Sequence, residues 1–315
     1  MSTPSVSVLM SVYNGAPFLD AAIDSIRAQS FDDFEFIIID DGSTDATPAI
    51  LARHAVADPR IRILSQRNLG LIAALNRGLA EASGVYVARM DADDIAKPHR
   101  LERQIGMLDS DRRLVLVGSR YEVIDAQGAV LRPGDVPTDP ARIRETLDRT
   151  NCIAHPTVLM RRDAVLAAGG YRRAYLLCED YDLWLRLAEA GDLLNLPDRL
   201  LSYRHYPGKL VWKRLEQQVL SELAARAAAR RRRAGLDDPT GAIDLITRDV
   251  LRSLDVGERE IGFEITRRAL QTARRSRAAG DPESAATAID LARGQPRTSL
   301  YDAAYYWLMR AKVYL

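Results

Sequence analysis

The sequence predicts an α/β protein: a mostly parallel sheet flanked by helices, followed by an all-helical C-terminal region. Strand-like and helix-like patterns alternate through the first hundred residues. Three of the strand-like runs end directly on polar clusters, YNG, DDGSTD and DADD. After Pro207 the pattern changes to long Ala- and Arg-rich helical periodicity. Strands separated by helices imply right-handed crossovers and parallel pairing. Ligands of such sheets bind outside the carboxyl ends of the strands, which is where the three clusters fall.

Each element has its own signal. Ser5–Val12 is expected as a strand with Val6, Val8, Met10 and Val12 on one face, and Leu19, Ala22, Ile23 and Ile26 then recur at helical spacing. Phe34–Ile39 is an almost unbroken apolar run, the pattern of a parallel strand covered on both faces. A helix from about Thr44, a short strand at Arg60–Leu64, a helix over Leu69–Ala82 and a strand at Val85–Met90 follow. Leu101 and Ile105 mark a further helix, and short strands are expected between Leu114 and Leu131. A helix near Pro140–Asp148, a strand at Thr157–Met160 and a helix from Asp180 through Ala190 complete the first part. The later helical periodicity breaks near Gly235–Pro239, Gly280–Pro282 and Gly294–Pro296. The expected division is a domain over 1–208 and a helical region over 209–315.

Bulk composition narrows the class. A chain of 315 residues with 47% hydrophobic and 28% charged residues is that of a globular protein with a real core. The net charge of +1 gives no global attraction for nucleic acid. After Gly208 there are 20 Lys/Arg against 14 Asp/Glu, leaving 24 against 29 before it, so the second part is basic and the first acidic. Two cysteines, Cys152 and Cys178, form neither a disulfide framework nor a zinc pattern, as expected in a reducing compartment. The first residues lack the basic and apolar segments of a signal peptide, and no run approaches the ~18 apolar residues of a membrane span. The expectation is a cytoplasmic protein, with peripheral attachment at the inner membrane face as a variant of it.

Asp91-Ala92-Asp93 carries the sharpest chemistry. Residues i and i+2 of an extended chain point the same way, so two carboxylates face one point. A magnesium-type cation is held by one or two carboxylates while substrate phosphates complete its shell. A bland alternative is that DADD caps the next helix, and position at the shared sheet edge weighs against it. In Asp40-Asp41-Gly42-Ser43-Thr44-Asp45, Gly42 permits a turn and Ser43 or Thr44 is suited to cap the next helix. Neither accounts for two acids ending an apolar strand, whereas Asp41 as acceptor for the imide N–H of a uracil-like base does. Tyr13-Asn14-Gly15 offers an aromatic face for a base, and Arg67-Asn68 with Gly70 precedes a helix whose first amides favour phosphate. Glu179-Asp180-Tyr181-Asp182 opens a helix; a carboxylate there is placed either to complement the helix dipole or to take a proton from an acceptor hydroxyl. His155-Pro156 is read as structural. The chain has no GxGxxG, Walker, GxSxG or HExxH pattern, and His54, His99, His155 and His205 lack metal-ligand spacing.

Taken together, SVYNG at 11–15, DDGSTD at 40–45, RNLGLIAALNRG at 67–78, DADD at 91–94, HPTVLMRR at 155–162 and EDYDLWLRL at 179–187 resemble the inverting family-two glycosyltransferases of the GT-A fold. The likeness covers roughly residues 5–208 and is closest to the non-processive bacterial polysaccharide and glycoconjugate type; the QxxRW signature of processive synthases is absent. The resemblance implies a nucleotide-binding sheet and transfer of a sugar from a nucleoside diphosphate donor to a glycan or lipid-linked acceptor with inversion. By it, Tyr13, Asn14 and Asp41 hold the nucleotide and Arg67 assists. Asp91 contacts the ribose or sugar, Asp93 holds a divalent metal (Mg2+ or Mn2+), and Asp180 is the catalytic base. Glu179 is a further candidate.

The family segment Tyr-Arg-x-His-Pro-Gly-Ser appears here as Tyr203-Arg204-His205-Tyr206-Pro207-Gly208-Lys209, with the histidine one residue early. Arg204, His205 and Lys209 are therefore the candidates to meet the leaving diphosphate. The imide edge favours a UDP donor, and dTDP shares that edge. Competing readings are a nucleotidyltransferase, disfavoured because Ser5–Gly15 has no Lys or Arg, and a non-catalytic sugar-nucleotide-binding subunit. In the C-terminal region, Arg230–Arg233 and the final YDAAYYWLMRAKVYL suggest either a membrane-surface contact or helices packing on the core or on a second copy.

Overall fold

The computed structural model describes residues 3–206, 214–278, 281–295 and 306. The chain divides into one unit of residues 1–172 with 180–206, and a second of 173–179 with 207–315. The first unit is built on a nine-stranded sheet.

Its first half follows the alternation in the sequence. Strand β1 (Val6–Val12) leads through helix α1 (Ala16–Arg27) to β2 (Phe34–Asp40), and α2 (Thr47–Ala57) leads to β3 (Ile61–Ser65). Helix α3 (Leu71–Glu81) then leads to β4 (Tyr86–Asp91). These four strands pair in parallel in the order β3-β2-β1-β4. Val6, Val8, Met10 and Val12 share one core with Leu19, Ala22, Ile23 and Ile26 of α1 and with Phe34, Phe36 and Ile38 of β2. On the opposite face, Gly78 of α3 sits so close to Leu9 and Ile39 that an added methyl would lie 2.8 Å from the Ile39 Cδ1. A sheet covered on both faces accounts for β2 being apolar at nearly every position.

The second half of the sheet is mixed. A two-residue β5 (Ile95–Ala96) and helix α4 (Arg100–Ser110) precede β6 (Leu114–Ile124), which hairpins into β7 (Val130–Gly134). The segment 114–131 is thus one eleven-residue strand and the start of a second, in place of several short ones. Helix α5 (Pro140–Leu147) follows, and then a 3-10 turn at His155–Thr157. The turn takes the first half of the strand expected at 157–160 and leaves a short β8 (Leu159–Arg161), antiparallel between β4 and β6. Helices α6 (Arg162–Ala167) and α7 (Glu179–Ala190) lead to β9 (Asp192–Arg204), a thirteen-residue strand that the sequence pattern did not suggest. Its alternation is interrupted by Pro197-Asp198-Arg199, and its register with β6 shifts at those places. The pairings orient β6 and β9 the same way as β1–β4, so six strands end on one edge of the sheet.

Buried polar side chains knit this half. Arg100, fully buried, donates to the carbonyls of Arg89 (2.6 Å) and Val158 (3.2 Å). Burial, with the neighbouring Arg89 charge, pulls its pKa down to about 9, which leaves it charged at neutral pH. Gln104 donates to the carbonyls of Val117 and Thr157, both at 2.6 Å. Each donor ties α4 to backbone carbonyls of the sheet and its connecting turn, as buried polar groups require.

The second unit is helical, with α8 (Leu215–Arg233), α9 (Arg248–Ser253), α10 (Glu258–Ala278) and α11 (Pro282–Arg293). Ala273 of α10 packs on Ala285, Ala288 and Ile289 of α11. Segment 173–179 is held within this unit. Tyr175 Oη donates to Thr240 Oγ1 (2.8 Å), Ser221 Oγ to the Leu176 carbonyl (3.1 Å), and Ile246 N to the Ala174 carbonyl (3.3 Å). In the basic run, Arg231 pairs with Asp255 (3.2 Å), Arg232 with Asp238 (2.6 Å), and Arg233 donates to the Ala229 carbonyl. These three guanidinium groups close the end of α8. The final aromatic segment lies outside the described residues, except Tyr306, which is buried. Among the described residues no helix is long and apolar enough to cross a membrane.

Candidate active site at the carboxyl edge of the sheet

The strand register brings the three polar clusters together. Val12 lies beside Asp40, Ser11 beside Asp91, and Asp40 beside Ser65. With neighbouring strands about 4.8 Å apart, the ends of β2 and β4 flank β1 at roughly 10 Å from each other. The convergence expected from strand order is therefore realised for YNG, DDGSTD and DADD.

The loops after β1 and β2 are laced to each other. Asn14 N donates to Ser43 Oγ (3.0 Å), Thr44 N to Asn14 Oδ1 (2.8 Å), Gly15 N to Thr47 Oγ1 (2.9 Å) and Ala16 N to Asp45 Oδ2 (3.2 Å). Asn14 adopts φ +51°, a left-handed conformation that Asn tolerates better than most residues. Ser43 and Thr44 consequently do not cap a helix. Helix α2 begins three residues later than expected, at Thr47, and has no side-chain cap of its own. Tyr13 is left at the surface, 52% exposed. Gly42 has φ +80°, and a methyl there would lie 2.7 Å from Asn68 N, so only glycine fits the turn.

Asp41 is turned inward. It is 2% exposed, and its carboxylate accepts from Gln66 Nε2 (2.7 Å), Leu69 N (2.9 Å) and Gly70 N (2.8 Å). Two amides just before α3, those of Leu69 and Gly70, are thus taken by Asp41. The cause is proximity: β3 is registered against Asp40, and the chain leaving it passes directly over the next residue. Arg67 is exposed beside this loop.

Asp91, Asp93 and Asp94 each offer a carboxylate oxygen, and the three lie within 4.8 Å of one another. Hard oxygen donors in such a group match Mg2+ or Mn2+. Arg89, buried two residues before, donates to Asp91 Oδ1 at 2.5 Å. Burial is the largest influence and opposes the Arg89 charge, but Asp91, Tyr171 and Asp94 together outweigh it, and the Arg89 pKa lies above the ordinary value. Asp94 is fully buried and accepts from Arg204 N (2.8 Å), which makes Asp91 and Asp93 the accessible members. Arg204 donates through Nε to the Asp93 carbonyl (2.8 Å) and through Nη1 to those of Asp125 and Ala126 (both 2.9 Å). Its guanidinium lies 4.6 Å from the centre of the Phe18 ring. Arg204 is buried and braces the acidic loop. His205 is exposed and donates its backbone N–H to the Ile124 carbonyl, and Lys209 lies outside the described residues.

Asp180 enters from α7. Its Oδ2 accepts from Asn151 Nδ2 (2.9 Å) and its Oδ1 from Tyr181 N (2.7 Å). One turn later, the fully buried Trp184 meets the His155 ring edge-on, with centroids 5.7 Å apart. His155 bonds Tyr171 Oη through Nε2 at 2.8 Å. Burial, followed by the Arg89 charge, drives its pKa well below the ordinary value while Asp91 opposes the shift, so His155 is neutral. His155 therefore touches α7 through Trp184 and feels the charge of Asp91. Asp182, in the same motif, is paired with Arg172 and Arg186 and is structural. Glu179 is buried and falls in the second unit. Arg89 and Asn151 were not singled out in the sequence: each is one polar residue in an ordinary context, with no spacing to mark it.

The sequence comparisons agree with this arrangement. Residues 7–167 match the profile described as Glycosyl transferase family 2. The chain belongs to that family. A relative described as an uncharacterized glycosyltransferase of Haemophilus influenzae is 37% identical over 214 residues, 64% of this chain and 65% of the relative. The O-antigen biosynthesis glycosyltransferase WbnJ of Escherichia coli is 36% identical over 63% of this chain and 79% of its own. Among solved structures, the mannosyltransferase PcManGT of Pyrobaculum calidifontis in complex with GDP-Man and Mn2+ has a TM-score of 0.57 at 18% identity, covering 100% of this chain and 82% of that one. TarS 1-349 of S. aureus in complex with UDP-GlcNAc has a TM-score of 0.56 at 16% identity, covering 93% of each chain. These two share the fold of this family-2 glycosyltransferase.

Proposed function

We propose that this glycosyltransferase transfers a sugar from a UDP-sugar to a hydroxyl of a glycan or lipid-linked acceptor by a single, inverting displacement. The observation that carries the reading is the carboxylate group of Asp91, Asp93 and Asp94 at the shared strand edge. The nucleotide lies against the exposed Tyr13, near Asn14 and Arg67. Asp41 holds the loop beneath it and has one acceptor position left for the imide N–H, since a carboxylate offers about four and three are taken. The O-antigen function of the Escherichia coli relative supports a polysaccharide or glycoconjugate acceptor.

Asp93 and Asp91 would hold a divalent cation, which when bound neutralises charge on the departing diphosphate. Asp180 takes the proton of the acceptor hydroxyl as its oxygen attacks the anomeric carbon. The bond from that carbon to the diphosphate breaks on the opposite face, so the configuration inverts and no covalent enzyme intermediate forms. Positioning of donor and acceptor supplies much of the rate.

The test has two arms. Thermal shifts with a panel of UDP-, dTDP- and GDP-sugars, each with magnesium or manganese, should single out a UDP-sugar. With that donor, Asp180→Asn should lower transfer by roughly 10²–10⁴-fold while UDP binding survives, and Asp93→Ala should remove the metal dependence of UDP binding. Wild-type turnover in Asp180→Asn ends the assignment of the base, and metal-dependent binding retained in Asp93→Ala ends that of the cation site.

A further inference from the structure

We propose that Asn151 is the positioning residue of this enzyme's base, setting the direction in which the Asp180 carboxylate receives the acceptor proton; the inference rests on Asp180 being that base. The amide orientation of Asn151 is fixed by its surroundings. Ile153 N donates to Asn151 Oδ1 (3.1 Å), which leaves Nδ2 as the group facing Asp180 Oδ2 at 2.9 Å. A flipped amide would set its NH2 against the Ile153 N–H and its oxygen against a carboxylate, losing both bonds.

The turn that carries Asn151 is itself immobilised. Asn195 Nδ2 of β9 donates to the carbonyls of Cys152 (3.3 Å) and Pro137 (2.9 Å). Thr157 Oγ1 donates to the Ala154 carbonyl (2.7 Å), and Gln104 of α4 holds the Thr157 carbonyl. Ile153 is 2% exposed and lies over Gly118, where a methyl would meet Asn195 Oδ1 at 2.3 Å and Ile153 Cγ2 at 3.3 Å. Residues from α4, β6 and β9 thus hold the donor, while Asp180 sits at the start of a separate element, α7. A carboxylate at a helix start can turn about its Cβ–Cγ bond, and a donor on each oxygen fixes its plane: Tyr181 N on Oδ1 and Asn151 on Oδ2. The aim of a base within hydrogen-bond reach decides whether proton transfer accompanies attack.

The experiment uses the full chain and the donor selected by the panel above. Asn151→Leu removes the donor at similar volume, and Asn151→Asp keeps the shape and the Oδ1 contact but faces a carboxylate with a carboxylate. Both should lower kcat by roughly 10–100-fold, the range seen when a group supporting an active-site residue is removed. Donor KM and UDP affinity by calorimetry should stay at wild-type values in both, Tm should hold in Asn151→Asp and fall in Asn151→Leu only by the lost bond from Ile153 N, and neither change should add to Asp180→Asn. Loss of Tm and rise of donor KM in step with the fall in kcat would mean that Asn151 only holds the fold. Wild-type kcat in Asn151→Leu, beside an inactive Asp180→Asn, overturns the positioning role alone. Wild-type kcat in Asp180→Asn overturns the base and this proposal together.

Discussion

Asp41 accepts from Gln66, Leu69 and Gly70, so its charge is satisfied by the loop that opens α3. Asp41→Asn keeps the shape but turns one oxygen into a donor facing other donors. An unsatisfied buried group costs about 1–3 kcal/mol. Tm and UDP affinity should therefore fall together in this variant, and unchanged values for both would show that the loop does not depend on the charge. The same residue shows what a sequence can disclose. Acids crowded after strands, as in DADD and DDGSTD, are visible because a chain seldom ends apolar strands on several charges without using them. Which neighbour satisfies Asp41 depends on where β3 delivers Gln66–Gly70, and that is a property of sheet order. Arg89 and Asn151 are invisible for a related reason: each acts through one contact with a residue distant in sequence or hidden beneath it.

At the scale of elements, the strands and helices of residues 6–110, the two-residue β5 apart, were legible because each is local and carries one period. β9 was not. Its thirteen residues include a proline and four charges, and its register with β6 shifts three times, so no window shows clean alternation. Yet β9 ends on Arg204, the brace of the acidic loop, and the two-residue β5 pairs beside it. The turn between α2 and β3 offers a simpler test. Its bonds to Arg60, set against the cost of burial, lower the Asp58 pKa to about 2 from an ordinary 3.8. A depressed carboxyl pKa adds stability that is complete above the ordinary value and is lost as the pH falls through the folded one. Acid unfolding should accordingly steepen between about pH 4 and pH 2, and Asp58→Asn should flatten that limb. An acid limb identical in the variant would remove the turn from the balance.

For the whole molecule, the notable feature is that residues 173–179 belong with the helical second unit although they interrupt the first. Tyr175 is fully buried and donates to Thr240, and Ala174 and Leu176 are bonded to Ile246 and Ser221. Thr240→Val would remove the acceptor to which Tyr175 Oη donates, at a cost of about 1 kcal/mol for the lost bond. Amide hydrogen exchange should quicken at 174–178 in that variant, and unaltered exchange would show that the bond carries no weight. Domains form as units while the chain emerges from the ribosome. The seven residues at 173–179 cannot find their partners until Thr240 and Ile246 have been synthesised, so this short stretch must wait, unseated, while some sixty further residues emerge.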